Sequence, residues 1–393
     1  MTDSDQVHPL WGPPLDQYIH SYGIDSVQKR ASWDVRTELE HRNRGRKAIS
    51  QICGLASGKK DLEKEVAERV SLSMLRSIMD LTLSPGTFVE LGYPDLVGGC
   101  IKLMKSVKIS EKNAAFKYEY RFLCFRILTV ALGVCMLQRA RRFDMALARM
   151  RAEPETELLL VFSTEVSWLV RTLLTDDQGK KHCDWMLALY VADPPYGPPQ
   201  QPFTDAYNPM TLLTIMYLDL KNFSKAFAST YSPGLSLVFC LLWRFSIIRV
   251  DPVVTGLEKF LKPLFCELYF IYCLVAPGCE LGALAKMYSH DVEWWGSAGT
   301  GLVDQENSRE KIIAYNRRLF PADMRWFSRP PVSLIPVLLW FLLSRIPNGV
   351  EDLFPQLFNV TIGCLWEGRI REGYSDEHFL IIARDTLKYL RQV

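Results

Sequence analysis

The stretch TELLLVFSTEVSWLVRTLL, residues 156–174, decides the class of fold. Its apolar side chains recur at steps of three and four residues, which places them on one face of an α-helix. Glu165 and Arg171 lie off this face. The pattern predicts an amphipathic helix whose buried stripe consists of Leu158, Leu159, Phe162, Val166, Leu169, Val170 and Leu173.

Two other segments of the chain have the same helical period. One contains Leu62, Val66, Val70, Met74, Ile78 and Leu81, and the other contains Phe379, Ile382, Ala383, Leu387 and Leu390. Ser375 precedes the second segment, followed by Asp376 and Glu377. We expect Ser375 to cap that helix and the two acids to favour its positive end. No alternating run is joined to a hairpin turn signal, so the sequence predicts an all-α fold.

Helix-breaking turns separate the apolar segments. They include LSPGT (83–87), APGCELG (276–282), FPADM (320–324) and RIPNG (345–349). Helices joined by such short turns are antiparallel neighbours. A long succession of them predicts an irregular helical-hairpin array, an armadillo- or HEAT-like α-solenoid, with a large helical bundle as the alternative.

Changes in composition divide the chain into four segments. Residues 1–27 form a Pro-containing N-terminal segment that we expect to be partly disordered. Residues 28–191 form a charge-rich helical half, and residues 204–393 form an aromatic-rich helical half. Between them, ADPPYGPPQQPF (192–203) is too rich in proline to continue a helix, so it is predicted to be an exposed loop.

The overall charge does not indicate a nucleic-acid-binding protein. The 393 residues include 46 basic and 44 acidic side chains, a formal net charge of +2. A chain with so little net charge has no global field to attract nucleic acid.

The cysteines and the N-terminal residues predict a compartment. Ten cysteines occur, mostly within apolar runs and never as a CxxC pair, which is typical of free thiols in a reducing environment. The first residues, MTDSDQVHPLWGPPL, have neither the basic nor the apolar region of a secretory signal. We therefore expect a cytoplasmic or nuclear protein that is not secreted.

The apolar runs are shorter than a membrane span. The longest, such as ILTVALGVCML (127–137) and VSLIPVLLWFLL (332–343), are interrupted by charged residues or by Pro-Gly breaks. Spanning a bilayer takes about 20 apolar residues, and shorter runs are more often buried core helices. We expect no integral membrane insertion, although a membrane-associated helical protein stays an alternative.

The segment WWGSAGTG (294–301) imitates a nucleotide-binding loop. Gly296 and Gly301 bracket four residues, as in the phosphate-binding pattern G-x-x-x-x-G-K-[ST]. Leu302 and Val303 then stand where that pattern needs a lysine and a hydroxyl. The segment is therefore interpreted as a glycine-rich connection, and no cofactor is expected.

The clusters of titratable residues do not complete a known catalytic or metal motif. His290, Asp291 and Glu293 lie close together, and Glu38 with His41 forms one Glu-x-x-His. A di-iron bundle needs two such motifs and two more glutamates. HCDW (182–185) places a histidine beside a cysteine, but consecutive helical residues point in different directions. No metal site and no catalytic residues are predicted.

Basic and aromatic residues are the candidate partner-binding groups. The basic candidates are Arg42, Arg44, Arg46, Lys47, Arg139, Arg141 and Arg142. Such clusters steer the encounter with an acidic protein surface. Trp294 and Trp295, beside the glycine-rich segment, are the tryptophans expected to be exposed as anchors for a partner.

Many helical stripes and few chemistry-bearing motifs favour a non-enzymatic, intracellular scaffold that binds protein partners along a helical groove. One alternative is a helical enzyme or a binder of an apolar small molecule, with a pocket in the sparsely charged region 204–276. The membrane-associated protein is the other alternative.

Overall fold

The structure is a computed structural model. It describes residues 7–23, 30–57, 69–106, 116–153, 156–175, 179–189, 202–203, 208–248, 255–291, 295, 308–321, 327–343, 349–373 and 375–391. Seventeen α-helices make up most of these residues, and no β-strand occurs among them. The prediction of an all-α fold is confirmed. The helices group into two compact units, Met1–Leu261 and Lys262–Val393.

The first unit contains eleven complete helices within the described residues. In chain order they are α1 (Leu15–Tyr22), α2 (Val35–Ser57), α3 (Leu72–Asp80), α4 (Pro94–Ser106), α5 (Glu119–Arg139), α6 (Phe143–Ala152), α7 (Leu158–Leu173), α8 (Gly179–Met186), α9 (Asn208–Leu218), α10 (Leu220–Ser229) and α11 (Leu235–Ile248). Two 3₁₀ turns, Leu81–Leu83 and Phe88–Leu91, connect α3 to α4.

The second unit contains the remaining helices. They are α12 (Thr255–Val275), which belongs to this unit from Lys262 onward, then α13 (Gly278–His290), α14 (Ser308–Leu319), α15 (Ile335–Leu343), α16 (Phe354–Glu372) and α17 (Asp376–Leu390). Short 3₁₀ turns, Val332–Leu334 and Glu351–Leu353, lead into α15 and α16.

Helix α7 is the helix predicted from residues 156–174, and its apolar stripe is buried as predicted. No side chain of that stripe is more than 5% exposed. Glu165 was placed off the stripe, yet it is also buried. Its Oε1 accepts a hydrogen bond from Arg149 Nη1 on α6 at 2.8 Å. A cation on the neighbouring helix therefore makes burial of this carboxylate possible.

Helix α5 is the centre of the first unit. It packs against α3, α4, α6, α7 and α11, and its side chains from Glu119 to Leu137 are almost all buried. By length and composition it could cross a membrane. However, 94% of its apolar 18-residue stretch is buried inside the protein. Length and composition do not distinguish a membrane span from a core helix.

The N-terminal residues that the structure describes are packed on this unit. Tyr18 of α1 is 1% exposed, and its hydroxyl donates a hydrogen bond to the Phe116 carbonyl oxygen at 2.5 Å. The Tyr231 N–H donates to the Tyr22 carbonyl oxygen at 3.1 Å, which links α1 to the residues after α10. Helix α1 is therefore packed onto the first unit.

Helices on both sides of the predicted loop 192–203 belong to the first unit, because α9 packs on α4 and α11 packs on α5 and α7. Residues 192–201 lie outside the described residues. Phe203 is buried, with the Arg139 guanidinium over its ring.

The predicted caps and stripes near the C-terminus are only partly as expected. Ser375 Oγ accepts a hydrogen bond from the His378 N–H at 3.3 Å, so the predicted N-cap is confirmed. Ile382 and Leu390 are buried, but Leu387 is 47% exposed. The prediction that Leu387 lies on the buried stripe is wrong, because the helix turns that position away from α15 and α16.

Aromatic side chains fill the core of the second unit. Phe270 of α12 stacks on Phe341 of α15, with ring centroids 4.2 Å apart. Tyr269 packs against Trp295 at 4.5 Å, and its hydroxyl donates to the Leu284 carbonyl oxygen at 2.5 Å. Tyr315 of α14 is hydrogen-bonded to Thr361 of α16 at 3.0 Å. Large rings with satisfied polar tips thus connect the helices.

The close approach of α5 and α7 predicts opposite effects for two helical glycine substitutions. A Cβ on Gly133 would lie 2.4 Å from Phe162 Cζ, whereas nothing lies within 4 Å of a Cβ on Gly54. Gly133→Ala is expected to destabilise the protein by about 1–3 kcal/mol through overpacking. Gly54→Ala, the matched control on α2, is expected to stabilise it by about 0.5–1 kcal/mol. Thermal and urea unfolding measure both, and a Gly133→Ala variant as stable as Gly54→Ala would contradict this packing.

Candidate functional site

Two of the predicted basic candidates hold a buried carboxylate. Arg46 Nε and Nη2 donate to Glu90 Oε2 and Oε1 at 2.6 and 2.7 Å, a bidentate pair. The Glu90 side chain is only 4% exposed. Arg42 Nε lies 3.5 Å from Glu90 Oε1, and Arg42 Nη2 donates to Glu38 Oε1 at 3.0 Å. These contacts fasten α2 to the turn Phe88–Leu91, so Arg42 and Arg46 are engaged within the protein.

Arg44 and Lys47 lie on the same helix but are exposed. Helical positions two apart point to different sides of the helix, which separates Arg44 from Arg42 and Arg46. Arg46 pairs with Glu90 although 55% of its side chain is exposed, whereas no ion pair is found for Arg44 or Lys47 within the described residues.

The three basic candidates after α5 also differ from one another. Arg139 Nη1 donates to the Met186 carbonyl oxygen at 2.7 Å, and burial lowers the pKa of Arg139 to about 10. The Arg142 guanidinium carbon lies 3.4 Å from the ring centroid of Trp168, and its Nη2 is 3.7 Å from Glu165 Oε2. Arg141 is exposed and has a φ of 53°, at the turn that ends α5.

The expectation that Trp295 is exposed is wrong. Its side chain is 2% exposed, and its indole N–H donates to the Met287 carbonyl oxygen at 3.3 Å. Its ring is enclosed by aromatic neighbours, including Tyr269 and Phe265. Hydrophobic burial and a satisfied N–H make it a core residue. Trp294 and the glycine-rich residues 296–301 lie outside the described residues.

The histidine and acid clusters are held by contacts of their own. His41 Nδ1 lies 3.4 Å from Asp80 Oδ2, and its ring stacks on Trp33 at 4.2 Å. Glu293 lies outside the described residues, so its grouping with His290 and Asp291 stays untested. Within the described ranges, no three His, Cys, Asp or Glu side chains are placed to hold a metal ion.

The HCDW segment contributes a buried ion pair and a buried thiol. Arg244 Nε and Nη2 donate to Asp184 Oδ1 and Oδ2 at 2.6 and 2.8 Å, which joins α8 to α11. Beside this pair, the Sγ atoms of Cys183 and Cys240 lie 3.7 Å apart. The hydrogen bond to Cys240, together with burial, raises the pKa of the Cys183 thiol well above its usual value. A thiol in this environment is not activated as a nucleophile.

A different part of the chain carries exposed apolar side chains at helical spacing. On α16, Ile362, Trp366 and Ile370 are 49%, 61% and 74% exposed. Steps of four residues place them along one face of the helix. The opposite face is buried and includes Leu357, Thr361, Cys364, Leu365 and Gly368. We call the three exposed residues the apolar stripe.

Helix α17 adds exposed apolar residues. Leu380, Ile381 and Leu387 are 65%, 48% and 47% exposed. The Arg369 guanidinium carbon lies 6.0 Å from the ring centroid of Trp366 and 5.3 Å from that of Phe379. Arg369 therefore lies between Trp366 of α16 and Phe379 of α17.

The sequence contained a signal for the apolar stripe that the periodicity argument did not use. Helix α16 has apolar residues on both faces, whereas a surface helix of a monomer has an apolar face on one side only. Trp366 by itself did not indicate exposure, because tryptophans at helical spacing are usually buried. The apolar residues on the second face of α16 were the feature that indicated an exposed tryptophan.

Comparison of the chain with protein-family models, curated proteins and solved structures finds no match.

The structural role of Arg46 gives a prediction about the basic residues of α2. Arg46→Gln is expected to lower the melting temperature, because buried Glu90 then loses its bidentate partner. The double variant Arg44→Gln with Lys47→Gln removes two exposed charges and is expected to leave the melting temperature unchanged. Differential scanning fluorimetry distinguishes the two variants. Equal melting temperatures for both would contradict the structural role of Arg46.

The Asp184–Arg244 pair is expected to behave as a buried salt bridge. Asp184→Asn or Arg244→Met alone should cost about 3–5 kcal/mol, because each leaves a buried charge without its partner. The double variant Asp184→Leu with Arg244→Met should recover most of that loss, since no charge is left buried. Chemical unfolding provides the measurement. Single variants within about 0.5 kcal/mol of the parent would show that the pair is not buried in solution.

Proposed function

We propose that this chain is a non-enzymatic protein-interaction scaffold that binds an acidic amphipathic helix of a partner protein on α16 and α17. The exposed apolar stripe is the single observation that carries the proposal. Trp366 and Ile370 are the two most exposed residues of the stripe, at 61% and 74%. Contiguous exposed apolar side chains mark interaction sites in soluble proteins, and tryptophan is the commonest anchor residue.

The spacing of the exposed residues supports a helical partner. Ile362, Trp366 and Ile370 repeat at steps of four along α16, and Leu380 and Leu387 are one heptad apart on α17. An amphipathic helix presents its anchors at steps of three, four and seven residues. Such a helix can pack its anchors against exposed rows of this spacing.

The charges beside the apolar residues support an acidic partner. Lys388 and Arg391 lie exposed near the end of α17, next to Leu387. Arg384, with 76% of its side chain exposed, has Asp385 as its ion-pair partner at 3.5 Å. Lys388 and Arg391 have no ion-pair partner in the described part of the chain. Acidic side chains on the partner would complement them and speed the encounter.

For the architecture of the first unit, we propose the large helical bundle over the irregular armadillo- or HEAT-like solenoid. Helix α1 packs on α10, and α4 packs on α9. In a solenoid each repeat contacts only its neighbours along the chain, whereas distant helices meet in a bundle. Partners would then bind on an outer helical surface and not within a continuous groove.

A reducing compartment, cytoplasmic or nuclear, is the location that we propose. All ten cysteines are free thiols, and eight of them are buried. Free buried thiols are typical of proteins that are kept in a reducing environment.

The proposal is tested with two fluorescent helical peptides of about 20 residues, long enough to hold a helix. Both carry leucines at the same positions, flanked in one by glutamates and in the other by lysines. Fluorescence polarisation should show tighter binding of the glutamate peptide. Trp366→Ala and Ile370→Ala should each weaken it about tenfold, the loss of roughly 1.4 kcal/mol expected for an anchor residue.

Leu39→Ala is the control, because Leu39 is also an exposed apolar residue (51%) but lies on α2 of the first unit. It should leave the affinity unchanged. Tighter binding of the lysine peptide, or equal losses for Leu39→Ala and Trp366→Ala, would contradict the proposal. A dimer of the parent protein that Trp366→Ala converts to a monomer would also contradict the proposal. A second copy of this chain would then occupy the apolar stripe. Sedimentation with anionic vesicles that depends on Trp366 would indicate a membrane surface and would also overturn it.

A further inference from the structure

Two buried thiols meet where helix α8 lies against helix α11. Cys183 on α8 and Cys240 on α11 are both completely inaccessible to solvent. Their Sγ atoms lie 3.7 Å apart, although the two residues are 57 positions apart in the sequence. A disulfide bond joins sulfurs about 2.05 Å apart, so these two atoms need to approach by roughly 1.7 Å to form one.

An ion pair next to the thiols holds the two helices in this position. Asp184 follows Cys183 directly, and Arg244 lies one turn after Cys240 on the same face of α11. Arg244 Nε and Nη2 donate to the two Asp184 carboxylate oxygens at 2.6 and 2.8 Å. A bidentate pair is geometrically specific, so it keeps the two sulfurs next to each other.

The closed arrangement of α8 and α11 protects the thiols from reagents in solution. Neither side chain reaches solvent. The hydrogen bond between the two thiols, together with burial, raises the pKa of the Cys183 thiol well above its usual value. Because the thiolate is the reactive form of cysteine, oxidation has to begin with an opening of α8 away from α11.

Helix α8 is small enough to open by itself. It contains eight residues, Gly179–Met186, which make about two helical turns. Its polar contacts include the Asp184 pair and a hydrogen bond from Arg139 Nη1 to the Met186 carbonyl oxygen at 2.7 Å. Segments with little packed surface open locally at a lower free energy than the whole unit unfolds.

We propose that Cys183 and Cys240 are a reversible disulfide site, oxidised by a low-molecular-weight disulfide of the glutathione type, and that the bond fastens α8 to α11. The dithiol is the form expected in the reducing compartment proposed above. A rise in the small-molecule disulfide shifts the pair toward the bond. The site lies in the first unit and does not involve the surface on α16 and α17, so it is independent of the proposed partner binding.

The oxidation takes place in two thiol–disulfide exchange steps. When α8 opens, the Cys183 thiol loses its proton to solvent, and the thiolate attacks one sulfur of the small-molecule disulfide. The reagent's S–S bond breaks, a mixed disulfide forms and one small thiol leaves. As α8 returns, deprotonated Cys240 attacks the Cys183 sulfur and expels the second small thiol. Two protein thiols are thereby oxidised by two electrons, and one small-molecule disulfide is reduced to two thiols.

The test incubates the full chain with oxidised glutathione and then blocks the remaining thiols with iodoacetamide. Peptide mapping by mass spectrometry should find the peptides of Cys183 and Cys240 joined, with the loss of two hydrogen atoms. Cys53 and Cys279 are only half-buried and should instead gain glutathione adducts. The melting temperature should rise by several degrees, because the new bond constrains the unfolded chain, and dithiothreitol should reverse the rise.

Single variants identify which thiols are responsible for the thermal shift. Cys183→Ala and Cys240→Ala should each abolish both the linked peptides and the rise in melting temperature. Cys364→Ala, the control, removes a buried thiol of the second unit and should keep both. Should the first two variants not fold, the peptide map and the reversible thermal shift of the parent protein still decide the question.

The variant Asp184→Asn tests the opening of α8. It weakens the ion pair that holds α8 on α11, so linked peptides should appear severalfold faster than in the parent protein. An unchanged rate would contradict the opening on which the proposal depends. A parent protein that gains glutathione adducts but no Cys183–Cys240 linkage would overturn the proposal. So would a linkage that leaves the melting temperature unchanged, since the bond would then not fasten α8.

Discussion

The burial of helix α5 is the constraint on which the first unit depends. Its side chains from Glu119 to Leu137 are almost all inaccessible to solvent, so five other helices must supply its packing partners. The helix can be enclosed this closely because Gly133 has no side chain where Phe162 of α7 makes contact. Dense interdigitation of this kind gives a core little tolerance for added atoms.

The polar end of α5 shows how the interior accommodates charge. Glu119 is 2% exposed, and Arg76 donates to both of its carboxylate oxygens at 2.9 and 2.5 Å. The Tyr22 hydroxyl donates to the same carboxylate at 2.6 Å, which ties α1 to α5. Glu90 and Asp184 are held in the same manner by Arg46 and Arg244. Arginines therefore act mainly as connectors between helices, through paired donors that match a carboxylate.

This use of arginine explains why the predicted basic cluster is divided in the structure. Side chains project in successive directions around a helix. Arg42 and Arg46 therefore reach Glu90, while Arg44 and Lys47 are exposed to solvent. The charge of a residue is visible in the sequence, but its partner lies about 44 positions away and is brought close only by folding. Likewise, packing alone makes Trp295 a core residue and Trp366 an exposed one.

The sequence by itself determined the helical class, the buried stripe of α7 and the cap at Ser375, because these depend on local spacing and on contacts within one turn. Only the tertiary structure decided that α5 is enclosed by other helices and that α16 exposes an apolar face. These features depend on which distant helices cover each surface. Side-chain burial and the pairing of charges are properties of that arrangement, and residue order does not specify them locally.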